Sequence, residues 1–139
     1  MQLQGLTELQ ERLLQTAQQT PQTMKKVLNK VGTKATQKAR KKSRQLVKKD
    51  TGNYHKKWKK GKVFIGREGE FVVRVINSSP HAHLIEDGHI IKNKPGGPNL
   101  GFVPGKKVLE RSIREFESGG EMAQVVGDML DDLLMSNRL

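Results

Sequence analysis

The sequence predicts an α+β fold: a small antiparallel β-sheet, made of a hairpin over 62–77 plus short strands, flanked by N-terminal and C-terminal helices. Three patterns predict it. Apolar residues recur at helical spacing through 6–48, β-branched and aromatic residues crowd 62–77 around a short Gly-containing link, and helical spacing returns after Pro104. At 139 residues the chain has the length of a single domain, 1–139, and 34% apolar residues with only 4% aromatics give it one modest core. So thin a core beside 29% charged residues points to partial disorder alone or to stabilisation by assembly.

In the first helix, over 6–19, Leu6, Leu9, Leu13, Leu14 and Ala17 fall at helical spacing; the first 20 residues read as a helix that could flex. Thr20-Pro21 then suits an N-cap and the first position of a second helix, which runs to about Lys48. Its apolar stripe is narrow: Met24, Val27, Leu28, Val31, Ala35, Ala39 and Leu46, shrinking to alanines midway, with Lys and Arg on the rest and Gly32 weakening the helix by about 1 kcal/mol. Asp50-Thr51-Gly52-Asn53 is a turn cluster. Tyr54 and Trp58, set among basic residues, suit either base stacking or anchoring, and an isolated Tyr and Trp favour partly buried anchors with their tips at the surface.

Residues 62–66 and 70–77 read as the two strands of a hairpin joined by Arg67-Glu68-Gly69. Phe71, Val73 and Val75 alternate with Val72, Arg74 and Ile76, so both faces are partly apolar; one is expected on the helices and the other on a second sheet or a neighbouring subunit. A short helical turn over 81–86 ends at Gly88 in a left-handed cap, setting Ala82 and Ile85 against the sheet; Glu86 then caps the backbone that follows or pairs with a base in a neighbouring subunit. Ile90-Ile91-Lys92 suits a short strand, and 89–103 as a whole reads as a mobile loop, with Pro and Gly at 95–98. A helix from Pro104 to about Glu117 carries Val108, Leu109, Ile113 and Phe116, and a last helix over 121–135 has a broad stripe from Met122 to Leu134 opposite Asp128, Asp131 and Asp132.

The net charge of +12 is unevenly spread. Residues 25–62 hold 16 Lys/Arg and one acid, Asp50, a local +15; the other 10 bases and 13 acids give −3. A basic block of this kind attracts polyanions, nucleic acid first among them, or an acidic protein neighbour. The candidate DNA-facing residues are Lys38, Arg40, Lys41, Lys42, Arg44, Lys48, Lys49, Lys56, Lys57, Lys59 and Lys60.

Several chemistries find no support. With no cysteine there is no disulfide, thiolate metal site or Cys nucleophile. Met1-Gln2-Leu3-Gln4 is not the start of a signal peptide, and no apolar run suits a membrane span. His81, His83, Glu86 and His89 resemble a ligand set only in composition. On a helix the first two point about 200° apart, and on a strand Glu86 takes the opposite face. A Walker loop before Gly105-Lys106 would need Gly at 100 and Ser or Thr at 107, where the chain has Leu100 and Lys107. No serine has a nucleophile-elbow setting, so no enzyme and no cofactor is expected.

These residues, taken in order, resemble the small tail-component family of long-tailed bacteriophages, whose members are tail-completion, neck or head–tail joining proteins. The resemblance spans about 20–135. It rests on a polar helical N-terminal region, Thr51-Gly52-Asn53-Tyr54, the hairpin at 62–77, Ala82-His83-Leu84-Ile85-Glu86-Asp87-Gly88, and Phe102-Val103-Pro104 opening a helix. His81 and His89 depart from it, standing where the family more often has an aromatic and a Thr. The resemblance implies an α+β subunit that forms a sixfold ring, with Thr51, Gly52, Ala82, Glu86, Gly88, Phe102 and Pro104 as assembly residues. It further implies a virion protein, made in the host cytoplasm, that joins the tail tube to the head connector. Its partners would be other copies of itself, a tail-tube or tail-terminator protein, a connector or adaptor protein, and DNA in the channel, with no membrane. A terminator ring capping the tail tube, or a non-specific nucleic-acid-binding module, is the alternative.

Overall fold

The computed structural model describes residues 3–48, 52–92 and 96–136. The order of elements is α1 (Glu8–Gln18), α2 (Pro21–Leu46), α3 (Asn53–Lys56), β1 (Trp58–Lys60), β2 (Phe64–Ile65), β3 (Phe71–Val72), β4 (Val75–Asn77), α4 (Ala82–Asp87), β5 (Gly88–Ile91), β6 (Gly101–Pro104), α5 (Val108–Ser118) and α6 (Glu121–Met135). The class is α+β, with small antiparallel sheets and helices at both ends.

Helix α2 is the spine, about 39 Å long at the helical rise for its 26 residues. Pro21 occupies its first turn; Thr20 makes no side-chain cap, and its carbonyl instead accepts from Met24 N at 3.1 Å. The buried stripe is wider than its apolar residues suggest, because Thr23, Gly32, Thr36 and Ser43 are buried beside Met24, Val27, Leu28, Val31, Ala35 and Ala39. Helices α1, α5 and α6 pack on α2, and so do β1, β3 and β4. The main core joins Leu13, Leu14 and Ala17 of α1, the first half of α2, Phe116 of α5, and Val126, Leu130 and Leu133 of α6. A second, smaller core gathers Ala39, Tyr54, Trp58 and Val108, where the α2 stripe has shrunk to alanine.

Helix α1 begins with a reciprocal capping box: Gln10 N donates to Thr7 Oγ1, and Thr7 N to Gln10 Oε1, both at 3.1 Å. Leu9 shares the apolar face by periodicity yet is 56% exposed; Leu3 and Leu6, which precede the helix, make the core contact at that end.

The hairpin differs from its expected form. Pairing starts earlier, at Trp58: β1 pairs with β4 in the register Trp58↔Asn77 to Lys60↔Val75, and β2 with β3 in the register Phe64↔Val72 and Ile65↔Phe71. Between Lys60↔Val75 and Phe64↔Val72 lie residues 61–63 on one strand and 73–74 on the other, so one extra residue bulges the ladder. Gly61 N still donates to Arg74 O across it, at 2.8 Å. Phe71, Val73 and Val75 pack on the main core, while Arg74 and Ile76 face outward.

The stretch read as a mobile loop over 89–103 begins and ends in strand, at 89–91 and 101–103. β5 pairs with β6 from Gly88↔Pro104 to Ile91↔Gly101, and residues 93–95 lie outside the described set. Helix α5 accordingly starts at Val108, not at Pro104, which ends β6 opposite Gly88. Gly88 is not a left-handed cap. Its φ of 89° and ψ of 177° lie in a region open almost only to glycine. A Cβ there would sit 2.7 Å from Phe102 Cζ and 2.8 Å from Gly105 N.

Gly32 has a packing role. A Cβ on it would meet Val73 Cγ2 at 2.7 Å and Lys60 Cδ at 2.8 Å. Helix propensity alone favours Gly32→Ala by about 1 kcal/mol, whereas the contact with the hairpin opposes it. The expected outcome is that Gly32→Val destabilises the fold by about 1–3 kcal/mol, with Gly32→Ala between it and wild type, as read from the urea midpoint at constant m-value.

Candidate functional site: a capped corner and a cationic ridge

Two regions carry the sequence-predicted residues. The first is the corner where α4, the β5–β6 arm and α5 meet. Ala82 and Ile85 of α4 pack on the Tyr54/Trp58 core. One turn on, Glu86 reaches the start of α5, where its Oε1 accepts from Leu109 N at 2.8 Å and its Oε2 from Glu110 N at 3.1 Å. These are first-turn N–H groups with no partner inside the helix, and the negative charge sits at the positive end of the helix dipole. The expectation that Glu86 caps the backbone after it holds, and the backbone capped is that of a helix more than twenty residues on. Lys106 N donates to Ile85 O at 2.7 Å, Lys107 N to Glu86 O at 3.2 Å, and Lys107 Nζ to Asp87 Oδ1 at 3.0 Å. That bond to Asp87 raises the Lys107 ammonium above its ordinary pKa.

Tyr54 and Trp58 serve as anchors, but not with their tips at the surface as expected: the Trp58 Nε1 is itself buried. Both are buried, with ring centroids 5.6 Å apart and an interplanar angle of 70°. Burial, and secondarily the charge on Glu86, pushes the Tyr54 phenol well above its ordinary range. His55, which sequence reasoning passed over, is also buried. Its Nε2 lies 3.2 Å from Ser43 O and 2.9 Å from Val47 O, where an N–H ties α3 to the end of α2. Only its place beside the turn cluster signalled this role. Gly52, with φ of 82°, turns the chain into α3. Thr51 and Lys49 lie outside the described residues. Phe102 is 58% exposed on β6, and Pro104 is exposed at its end.

The second region is cationic, and the structure divides its residues into two groups. Lys38 Nζ donates to Glu121 Oε1 at 2.7 Å and lies 3.8 Å from Glu115 Oε2, while Lys42 Nζ lies 2.7 Å from Glu115 Oε2. The bond to Glu121 raises the Lys38 pKa, and the bond from Lys42 lowers that of Glu115. Arg40 Nη2 donates to Trp58 O at 3.1 Å, and Lys60 Nζ to Asn29 Oδ1 at 2.8 Å. Lys38, Arg40, Lys42 and Lys60 therefore hold the subunit together. Lys41, Arg44, Lys48, Lys56, Lys57 and Lys59 are exposed. With Lys26, Lys30 and Lys34, the residues Lys41, Arg44 and Lys48 follow one another at intervals of three, four or seven, forming a ridge along one side of α2.

His81 and His83 are exposed on α4, and His89 on β5. Among the described residues no group of three or more His, Asp or Glu lies where it could hold a metal ion, and no helix is long and apolar enough to cross a membrane.

The arrangement defines a small helical and β-hairpin subunit whose polar groups are spent on caps and on ties between elements. The profile of the family described as "Bacteriophage HK97-gp10, putative tail-component" matches residues 7–88, more than half of the chain, and the chain belongs to that family of phage tail components. The matched span runs from the capping box of α1 to the glycine that ends the Glu86 corner. No curated protein and no solved structure matches the chain.

Two outcomes test the corner. Glu86→Ala leaves two first-turn N–H groups of α5 without their acceptor and should cost about 1–2 kcal/mol, with Glu86→Gln losing less, in chemical denaturation. Tyr54 is the single tyrosine. Because its folded pKa is raised, its contribution to stability is complete below the unfolded value near pH 10 and falls as pH rises above it. Tyrosinate absorbance should therefore appear together with loss of helical circular dichroism, in one alkaline transition; a separate tyrosinate step in the folded protein would contradict this environment.

Proposed function

We propose that the chain is a tail-completion or neck subunit which joins the tail tube to the head connector as a homo-oligomeric ring of six copies. The role is structural, not catalytic. One observation carries the reading: among the described residues, seven of the ten exposed large apolar residues, Phe64, Ile65, Ile76, Ile90, Ile91, Leu100 and Phe102, lie on the two hairpins. Exposed apolar surface concentrated in this way marks an interaction site rather than scatter. Membership of a tail-component family supports the reading, since a tail is an assembly of repeated subunits. The neighbours along the tail axis would be a tail-tube or tail-terminator protein on one side and a connector or adaptor on the other.

Within the ring, the ridge containing Lys41, Arg44 and Lys48 would face DNA in the channel. Lysine and arginine hold phosphates there without reading bases, as suits DNA that only passes through. Light scattering of the purified protein, alone and with its tail-tube protein, should give a discrete oligomer of six subunits; a strict monomer under both conditions ends the proposal.

The exposed cations, which form no ion pair among the described residues, also support a second reading, non-specific binding of nucleic acid. Duplex DNA binding should weaken steeply with salt, and the log–log slope should lose about 0.9 for each phosphate contact removed. Lys41→Gln/Arg44→Gln/Lys48→Gln should lower both affinity and slope while leaving the melting temperature unchanged. Lys38→Gln/Lys42→Gln should do the reverse, because those ammonium groups are engaged by Glu121 and Glu115.

A further inference from the structure

Between the hairpin and α5 runs an open groove of about 550 Å³ with α2 as its floor. Six consecutive residues, 71–76, line one wall. Successive strand residues point to opposite faces, so a wall containing all of them runs along the edge of the strand. That edge has no strand beside it among the described residues, since β3 pairs with β2 alone and β4 with β1 alone. The facing wall presents Ile113, Phe116 and Glu117 of α5, and Leu28 lies in the floor. A free edge opposite an apolar helix face is the setting in which an added strand gains backbone hydrogen bonds and side-chain burial together.

The same chain carries a matching strand. On the β5–β6 arm Ile90, Ile91, Leu100 and Phe102 are 40–58% exposed. Within its own subunit the arm packs on α4, its base is held by the bonds from Lys106 and Lys107 to the α4 carbonyls, and none of its described residues lines the groove. Strand β5, four residues and about 13 Å long, fits along a wall of six residues and about 20 Å. The groove carries one charge of each sign, Arg74 on the hairpin wall and Glu117 on the α5 wall. Residues 88–104 include Lys92 and Lys94 and no acid, so Glu117, which has no ion pair among the described residues, is the group an arm cation would meet.

We infer that the β5–β6 arm of one subunit lies in the groove between residues 71–76 and α5 of the next, adding a strand to its hairpin. This rests on the ring reading above and assigns the surfaces that make the ring. The joint is heterologous, arm to groove, so repetition closes a circle instead of stopping at a pair.

The test uses two full-length variants altered at exposed positions: an arm variant, Ile90→Ser/Phe102→Ser, and a groove variant, Ile76→Lys/Glu117→Lys. Each alone should remain monomeric in sedimentation velocity, with a melting curve like that of wild type. Mixed in equal amounts they should form a heterodimer and nothing larger, because one keeps a sound groove and the other a sound arm. The absence of cysteine permits an independent measurement: Ile91→Cys mixed with Val72→Cys should give a disulfide-linked dimer on oxidation, and neither alone should. If wild type assembles and either surface variant assembles equally well, or the mixture stays monomeric, or no cross-link forms, the arm–groove joint is overturned while the ring stands. If wild type remains monomeric both alone and with its tail-tube protein, both fall.

Discussion

The structure depends on how closely other elements can approach one line of small residues on α2. Gly32, Ala35, Thr36, Ala39 and Ser43 are all buried there, and a hairpin and a helix both pack against that helix. With large residues along this line, α2 would hold its neighbours farther away, and a chain with 4% aromatics has little bulk to fill the gap. Thr36 and Ser43 stay compatible with burial because their hydroxyls bond to carbonyls of the same helix, Thr36 to Gly32 O and Ser43 to Arg40 O, both at 2.7 Å. The thin core is thus a consequence of close approach as much as of composition.

From that packing follows the second constraint, the corner at Glu86. Helix α4 has six residues, too short to hold its direction alone. Its position is fixed at one end by Ala82 and Ile85 on the Trp58 core, and at the other by a carboxylate that accepts from two N–H groups of α5. The β5–β6 arm starts at the next residues, so its direction is set by the same bonds. A local cap thereby controls where an exposed apolar arm points, and this links a stability element to the proposed assembly surface.

Much of this was legible in the sequence. The start of α2 at Thr20-Pro21, the stripes of α1, α2 and α6, and Glu86 as a cap followed from residue chemistry, whereas the capping box of Thr7 and Gln10 was passed over. The parts that were not legible have physical causes. Trp58-Lys59-Lys60 carries too much charge to read as strand, yet Trp58 points inward while Lys59 faces solvent, and period two needs only that. The Pro/Gly content of the segment after Ile91 concealed a hairpin whose strands pair only on either side of it. Lys38 and Lys42 could not be separated from Lys41 by composition; their acids lie on α5 and α6, more than seventy residues away in the chain.

That separation alters the electrostatic reading. A segment with local charge +15 invites the view that every lysine serves one polyanion. Folding instead places Glu115 and Glu121 against two of the lysines, and engages Arg40 and Lys60 through a carbonyl and an amide oxygen. Lys41, Arg44, Lys48, Lys56, Lys57 and Lys59, along one side of α2 and around β1, form no ion pair among the described residues. Meanwhile the apolar surface left over lies on the two hairpins. Phosphate attraction works at a distance and tolerates sliding, whereas an apolar strand edge requires contact and fixed register. In the proposed ring, keeping the two on different elements would let each copy hold its neighbours firmly while it touches a moving polyanion loosely.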